Sequence, residues 1–78
     1  MILQRNDNIW QLGDRWLEAG MHVELLVERF RPMRRWLHGQ IRLGKEGLFF
    51  AWLDVDDPEK YVAIPLLEGM MMNIRPGS

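Results

Sequence analysis

A glycine stands at the midpoint of the run Trp36-Leu37-His38-Gly39-Gln40-Ile41-Arg42-Leu43, which otherwise reads as one β-strand. Leu37, Gly39, Ile41 and Leu43 alternate with His38, Gln40 and Arg42, so one face is apolar and the other polar. A glycine inside such a strand marks a bulge, a bend or the close approach of other backbone. The tight turn Gly44-Lys45-Glu46-Gly47 follows, and then a second strand-length segment, Leu48 to Leu53. A bend point in a hairpin is what a short sheet needs in order to curl. The run therefore restricts the fold much more than it restricts the chemistry.

Leu48-Phe49-Phe50-Ala51-Trp52-Leu53 does not alternate at all, the pattern of a strand that is apolar on both faces. In a small barrel one of those faces meets water unless something covers it. The candidates are the N-terminal segment carrying Trp10 and Trp16, or a second subunit seated on Phe49 and Leu53. Size sharpens the point. A domain of 78 residues buries only about 60% of the surface of its unfolded chain, and small scaffolds usually add a disulfide, a metal or a partner subunit. There is no cysteine, which excludes disulfides and thiolate zinc sites, and two histidines do not make a metal site. Packing by four Trp, three Phe, one Tyr and six Met remains, together with oligomerisation.

The rest of the chain reads as more strands. Residues 1–7 look like a loose start. In residues 9–17 the apolar positions 9, 12, 13, 16 and 17 fit a helical stripe, capped by Asp7 or Asn8 and ended by Gly20. Gly13-Asp14 is instead a two-residue hairpin signal, and a glycine weakens a helix centre, so the hairpin is the preferred expectation. Val23, Leu25 and Val27 alternate with His22, Glu24 and Glu28 over residues 21–28, as in a half-buried antiparallel strand. Residues 29–35 read as a loop around Pro32, and Asp54 to Glu59 as an acidic turn. Lys60 to Pro65 reads as a strand, Leu66 to Gly69 as a short helical turn, and Met71 to Arg75 as the last strand. Closely spaced short strands with turn signals predict an all-β fold: one domain over 1–78, with a five-stranded barrel in residues 20–75 and an extra hairpin or short helix in 1–19.

That order of strands and turns resembles an SH3-like barrel. Leu37-His38-Gly39-Gln40-Ile41 also resembles the L-x-G-x-I strand of Sm-like proteins, five-stranded barrels that form rings and bind RNA. The second Sm motif has no counterpart at Met71-Met72-Asn73-Ile74-Arg75. Trp36 to Ile41 is similar to the W-x-G-Q-I strand of the plasmid-borne type II dihydrofolate reductases, with one extra residue before the glycine. The V-Q-I-Y segment that holds substrates in those enzymes corresponds to Val62-Ala63-Ile64-Pro65, which lacks the amide and the phenol. Arg31 and Arg35 have the R-x-x-x-R spacing of the cyclic di-GMP-binding PilZ domains, but Asp54-Val55-Asp56 does not supply that family's D-x-S-x-x-G. Leu17, Gly20, Glu24, Trp36, Phe49, Trp52, Leu67, Gly69, Ile74 and Arg75 loosely resemble the spacing in short uncharacterised bacterial domains, which implies a barrel and no activity.

Catalysis has little to work with. Ser78 is the sole serine and there is no threonine or cysteine, so no catalytic residue and no cofactor is assigned. If Glu28 faces Trp36, His38 sits diagonal to Glu24, and such a pair is more often a solvated ion pair than an acid–base couple. Met70-Met71-Met72 reads as gap-filling rather than as a binding surface. Arg29, Arg31, Arg34 and Arg35, interleaved with Phe30 and Trp36, hold four of the ten basic residues. Guanidinium groups pair with phosphates and aromatic faces stack on bases, so these arginines and Trp36 form a candidate site for nucleic acid or a phosphorylated ligand. The plainer expectation is neutralisation against the acidic turn at the same end of the sheet.

A net charge of −1 gives no general attraction to nucleic acid or to anionic membranes. No apolar stretch approaches the roughly 18 residues of a membrane span, and the first residues lack the pattern of an export signal. The expectation is a cytoplasmic, bacterial-type interaction module whose partner is another protein or a second copy of itself, with nucleic acid as the alternative.

Overall fold

The computed structural model describes residues 1–30, 33–57 and 59–75, with side chains placed for all of these except 28–30, 33 and 34. The described residues are all-β and contain no helix. Strands β1 (Leu3–Asn6), β2 (Ile9–Leu12) and β3 (Arg15–Trp16) form an antiparallel three-stranded sheet. Strands β4 (His22–Phe30), β5 (Met33–Gly44), β6 (Gly47–Leu53), β7 (Tyr61–Pro65) and β8 (Met72–Ile74) form a second sheet in the order β7-β6-β5-β4-β8.

The N-terminal segment is a hairpin, as Gly13-Asp14 implies. Leu12 pairs with Arg15 across the turn, and Gly13 takes φ 62°, a left-handed value that glycine adopts without a Cβ clash. Of the helical-stripe positions, Leu12 and Leu17 are buried while Ile9 and Trp16 are exposed. Residues 1–7 are not a loose start. Leu3 is completely buried; its N–H donates to Met70 O (2.7 Å) and its carbonyl accepts from Gly69 N (2.9 Å). Ile2 bridges Met71, which joins β1 to the segment leading into β8. Met1-Ile2-Leu3 followed by polar residues shows no alternation, and it is the pairing with β2 and the bonds to the segment before β8 that make it a strand.

The central hairpin is longer than its sequence suggests. Residues 29, 30 and 33–35 are strand rather than loop: β4 continues to Phe30 and β5 begins at Met33, with Phe30 paired to Met33. Val27 pairs with Arg35, so Glu28 and Arg29 stand opposite Arg34 alone, a β-bulge that takes up one extra residue. Arg31 and Pro32 lie outside the described residues.

One face of the five-stranded sheet carries the core. Val23 and Leu25 of β4, Leu37 and Ile41 of β5, Phe50 of β6 and Met72 of β8 are buried together with Leu3, Leu12 and Leu17 from the N-terminal segment. The N-terminal sheet thus caps the inner face of the larger one. Gly39 lies where a Cβ would run into the Phe50 ring and the Ala51 carbonyl, which is the close approach its position implies. Leu43 departs from its expected place on the apolar face. It has core parity, but it stands beside the Gly44–Gly47 turn and is 70% exposed.

The connections are short and self-bonded. Asp54 Oδ1 accepts from Asp56 N (2.8 Å) and Asp57 N (3.3 Å), and Asp57 Oδ1 accepts from Glu59 N (3.0 Å). Carboxylates at turns take this role because their short side chains mimic a backbone acceptor. Leu66 to Gly69 is a turn rather than the expected helical one, closed by Met70 N donating to Leu67 O (3.3 Å). Met72 is fully buried and Met70 packs against the core, whereas Met71 is exposed.

Candidate functional site

The two-sided character of β6 follows from the register. Leu48, Phe50 and Trp52 lie on the inner face; Phe49, Ala51 and Leu53 lie on the outer face with Arg42, Gln40 and His38 of β5 and Pro65, Ala63 and Tyr61 of β7. Phe49 stacks on Tyr61 with ring centroids 6.0 Å apart, and the Arg42 guanidinium lies 4.7 Å from the Tyr61 centroid. Arg42 Nε also donates to Gln40 Oε1 (3.2 Å). The outer face of β6 is therefore shielded in part by side chains of its own neighbours, leaving Phe49 and Leu53 half-buried.

The N-terminal aromatic residues part company. Trp10 packs against the core, carries the Arg5 guanidinium over its ring at 5.6 Å, and shares a depression of about 650 Å³ with Phe49, Pro65 and Leu66. Trp16 is 60% exposed and lines a shallow groove with Asp14, Arg15 and Glu18. The structure thus places Trp10 beside Phe49, and sets Leu53 and Trp16 elsewhere.

Of the four arginines, Arg35 alone has a described side chain. Arg29 and Arg34 are placed by their backbone in β4 and β5, and Arg31 is outside the described residues. The Arg35 guanidinium lies over the Trp52 ring at 5.8 Å. It shares an open cleft of about 510 Å³ with Asp54, Asp56, Lys60, Tyr61 and Val62. Arginine and acidic turn do meet at one end of the sheet, as a meander requires. Trp36, one residue on, projects from the opposite face and pairs with Leu26.

The register of the central hairpin differs from the expected one. Leu26 faces Trp36, so Glu24 stands directly opposite His38 rather than diagonal to it. His38 Nδ1 lies 3.6 Å and Arg75 Nε 3.9 Å from Glu24 Oε1. This trio sits on the open outer surface of the sheet and lines neither of the two larger depressions. It has the form of a surface charge cluster. Among the described residues there is no group of three or more His, Asp or Glu able to hold a metal ion.

A further feature emerges at β7, the terminal strand of the sheet. Asp54 N donates to Lys60 O (2.9 Å), extending the β6–β7 ladder by one pair. In an antiparallel pair alternate residues direct both backbone groups at the partner strand. Lys60, Val62 and Ile64 therefore bond towards β6, and Tyr61, Ala63 and Pro65 direct their backbone groups away from the sheet. Tyr61 and Val62 are 44% and 54% exposed. The Arg35–Trp52 cleft opens at one end of this strand and the Trp10–Phe49 depression at the other.

No family model, curated protein or solved structure matches this chain.

The open edge has a signal in the sequence. Tyr61-Val62-Ala63-Ile64-Pro65 has no charge and ends in proline, a residue that sheets admit at an edge where its missing N–H faces outward. Edge strands are ordinarily blunted by charge, by a bulge or by cover, and β7 has only Lys60 and Pro65 at its two ends.

Proposed function

We propose that this chain is a non-catalytic interaction module, an SH3-like five-stranded meander that docks an extended polypeptide segment along the free edge of β7. The strand order, with the last strand returning beside the first strand of the meander, supports the barrel reading. The observation that carries the function is the outward-directed backbone of Tyr61 and Ala63 on a terminal, uncharged strand. Strand addition uses such groups for affinity and flanking pockets for side-chain choice, and a depression lies at each end of β7.

The test is a titration of isotope-labelled protein with an extended peptide of alternating valine and threonine, followed by amide chemical shifts. Shift changes centred on Tyr61 to Pro65 are expected. Changes confined to β4 and the start of β5 would sink the reading.

A second reading, binding of nucleic acid or a phosphorylated ligand by Arg29, Arg31, Arg34, Arg35 and Trp36, is favoured by the Arg35 guanidinium stacked on Trp52 in an open cleft. Asp54 and Asp56 in the same cleft oppose an anionic ligand. This reading requires oligonucleotide binding that weakens steeply with salt. The absence of any binding at low salt removes it.

A further inference from the structure

Resting on β7 as a docking edge, we infer that its occupant is a second copy of this chain, paired antiparallel across a two-fold axis at Ala63. The strand is complementary to itself in that register. Ala63 faces Ala63 of the second copy, and each donates its outward N–H to the other's carbonyl. Tyr61 faces Pro65 of the second copy, and its N–H meets the proline carbonyl. The donor that proline lacks leaves only the Tyr61 carbonyl without a bond. Val62 faces Ile64 of the second copy, a β-branched pair of the kind that stabilises sheets. A register centred on Tyr61 would instead set Ala63 and Pro65 against the turn before β7, and fewer strand residues would pair.

Charge supports the same arrangement. The turn before β7 carries Asp54, Asp56, Asp57 and Glu59, with Arg35 and Lys60 in the cleft beside it, so acids exceed bases there, whereas Arg5 and Lys45 against one acid, Glu46, line the depression at its end. An antiparallel two-fold brings the start of one β7 to the end of the other, so the acidic turn of each copy approaches the basic rim of its partner. An isologous contact of this form is self-limiting and yields a closed dimer. It also supplies the subunit contact that a small chain without cysteine can use as a staple.

The experiment is sedimentation equilibrium of the full chain and of Ala63→Pro, with amide exchange of the wild type measured across a range of protein concentrations. The expected result is a wild-type dimer, a monomeric Ala63→Pro with an unchanged circular dichroism spectrum, and Tyr61 and Ala63 amides whose exchange slows in proportion to the dimer fraction. If Ala63→Pro does not fold, the wild-type exchange decides alone. A monomeric wild type with fast-exchanging Tyr61 and Ala63 amides overturns the second copy and leaves the edge free for another strand. A dimer that survives Ala63→Pro, or one whose Tyr61 and Ala63 amides still exchange fast, overturns β7 as the docking edge itself.

Discussion

The ring of Phe50 occupies the space in which a side chain at residue 39 would stand, and the Ala51 carbonyl closes the same space from the backbone. Gly39 pairs with Trp52 in the ladder and Ile41 with Phe50, so the ring lies diagonally across the strand onto the bare glycine. Gly39→Ala must move either backbone or a fully buried ring. We expect a loss of about 1–3 kcal/mol, the usual cost of overpacking, read as a lower urea midpoint at unchanged slope. An unchanged midpoint would show that the bend does not need glycine.

Leu3, in the first strand, is as deeply buried as Phe50 in the centre of the larger sheet. Leu3→Ala is expected to cost about 2–5 kcal/mol. Trp16→Ala, at an exposed position in the same sheet, is expected to stay within about 0.5 kcal/mol. Equal effects in denaturant melts would contradict the division of the N-terminal sheet into a core-facing and an open side.

The Phe49–Tyr61 stack joins β6 to the edge strand on the outer face. A double-mutant cycle with Phe49→Ala and Tyr61→Ala should return a coupling of about 0.5–1.5 kcal/mol. Additive losses would mean that the two rings are neighbours without mutual stabilisation.

Glu24 lies opposite His38 and near Arg75 on an open surface. Exposed pairs of this kind contribute about 0–1 kcal/mol, so Glu24→Gln should shift the urea midpoint only slightly, and less at high salt than at low. A large, salt-independent loss would point to a structural role beyond charge.

Asp54 accepts two backbone N–H groups in the turn before β7. Asp54→Ala is expected to lose about 1 kcal/mol, whereas Asp54→Asn, which keeps an acceptor, should retain most of it. If Asn and Ala are equivalent, the negative charge rather than the turn geometry is what matters there.

Much of this architecture is written in local pattern. The alternation of Val23, Leu25 and Val27, and of Leu37, Gly39 and Ile41, names the inner face because side chains on a strand alternate strictly between two sides. Gly13-Asp14 and Gly44-Lys45-Glu46-Gly47 mark their hairpins because turn chemistry is local. What the chain alone could not show depends on distant partners. Leu3 takes its place in a strand through its pairing with Leu12 and its bonds to Met70 and Gly69. The arginine segment extends as paired strands because a bulge opposite Arg34 absorbs the odd residue, and a shift of that kind leaves no periodic trace. The same holds for the candidate site. Phe49, Leu53 and Arg35 could be picked out by type, but the free edge of β7 exists only because, among the described residues, no other strand pairs with it. The order of residues along each strand determines which faces are apolar; the pairing order, a property of the whole sheet, decides which backbone groups are left open to a partner.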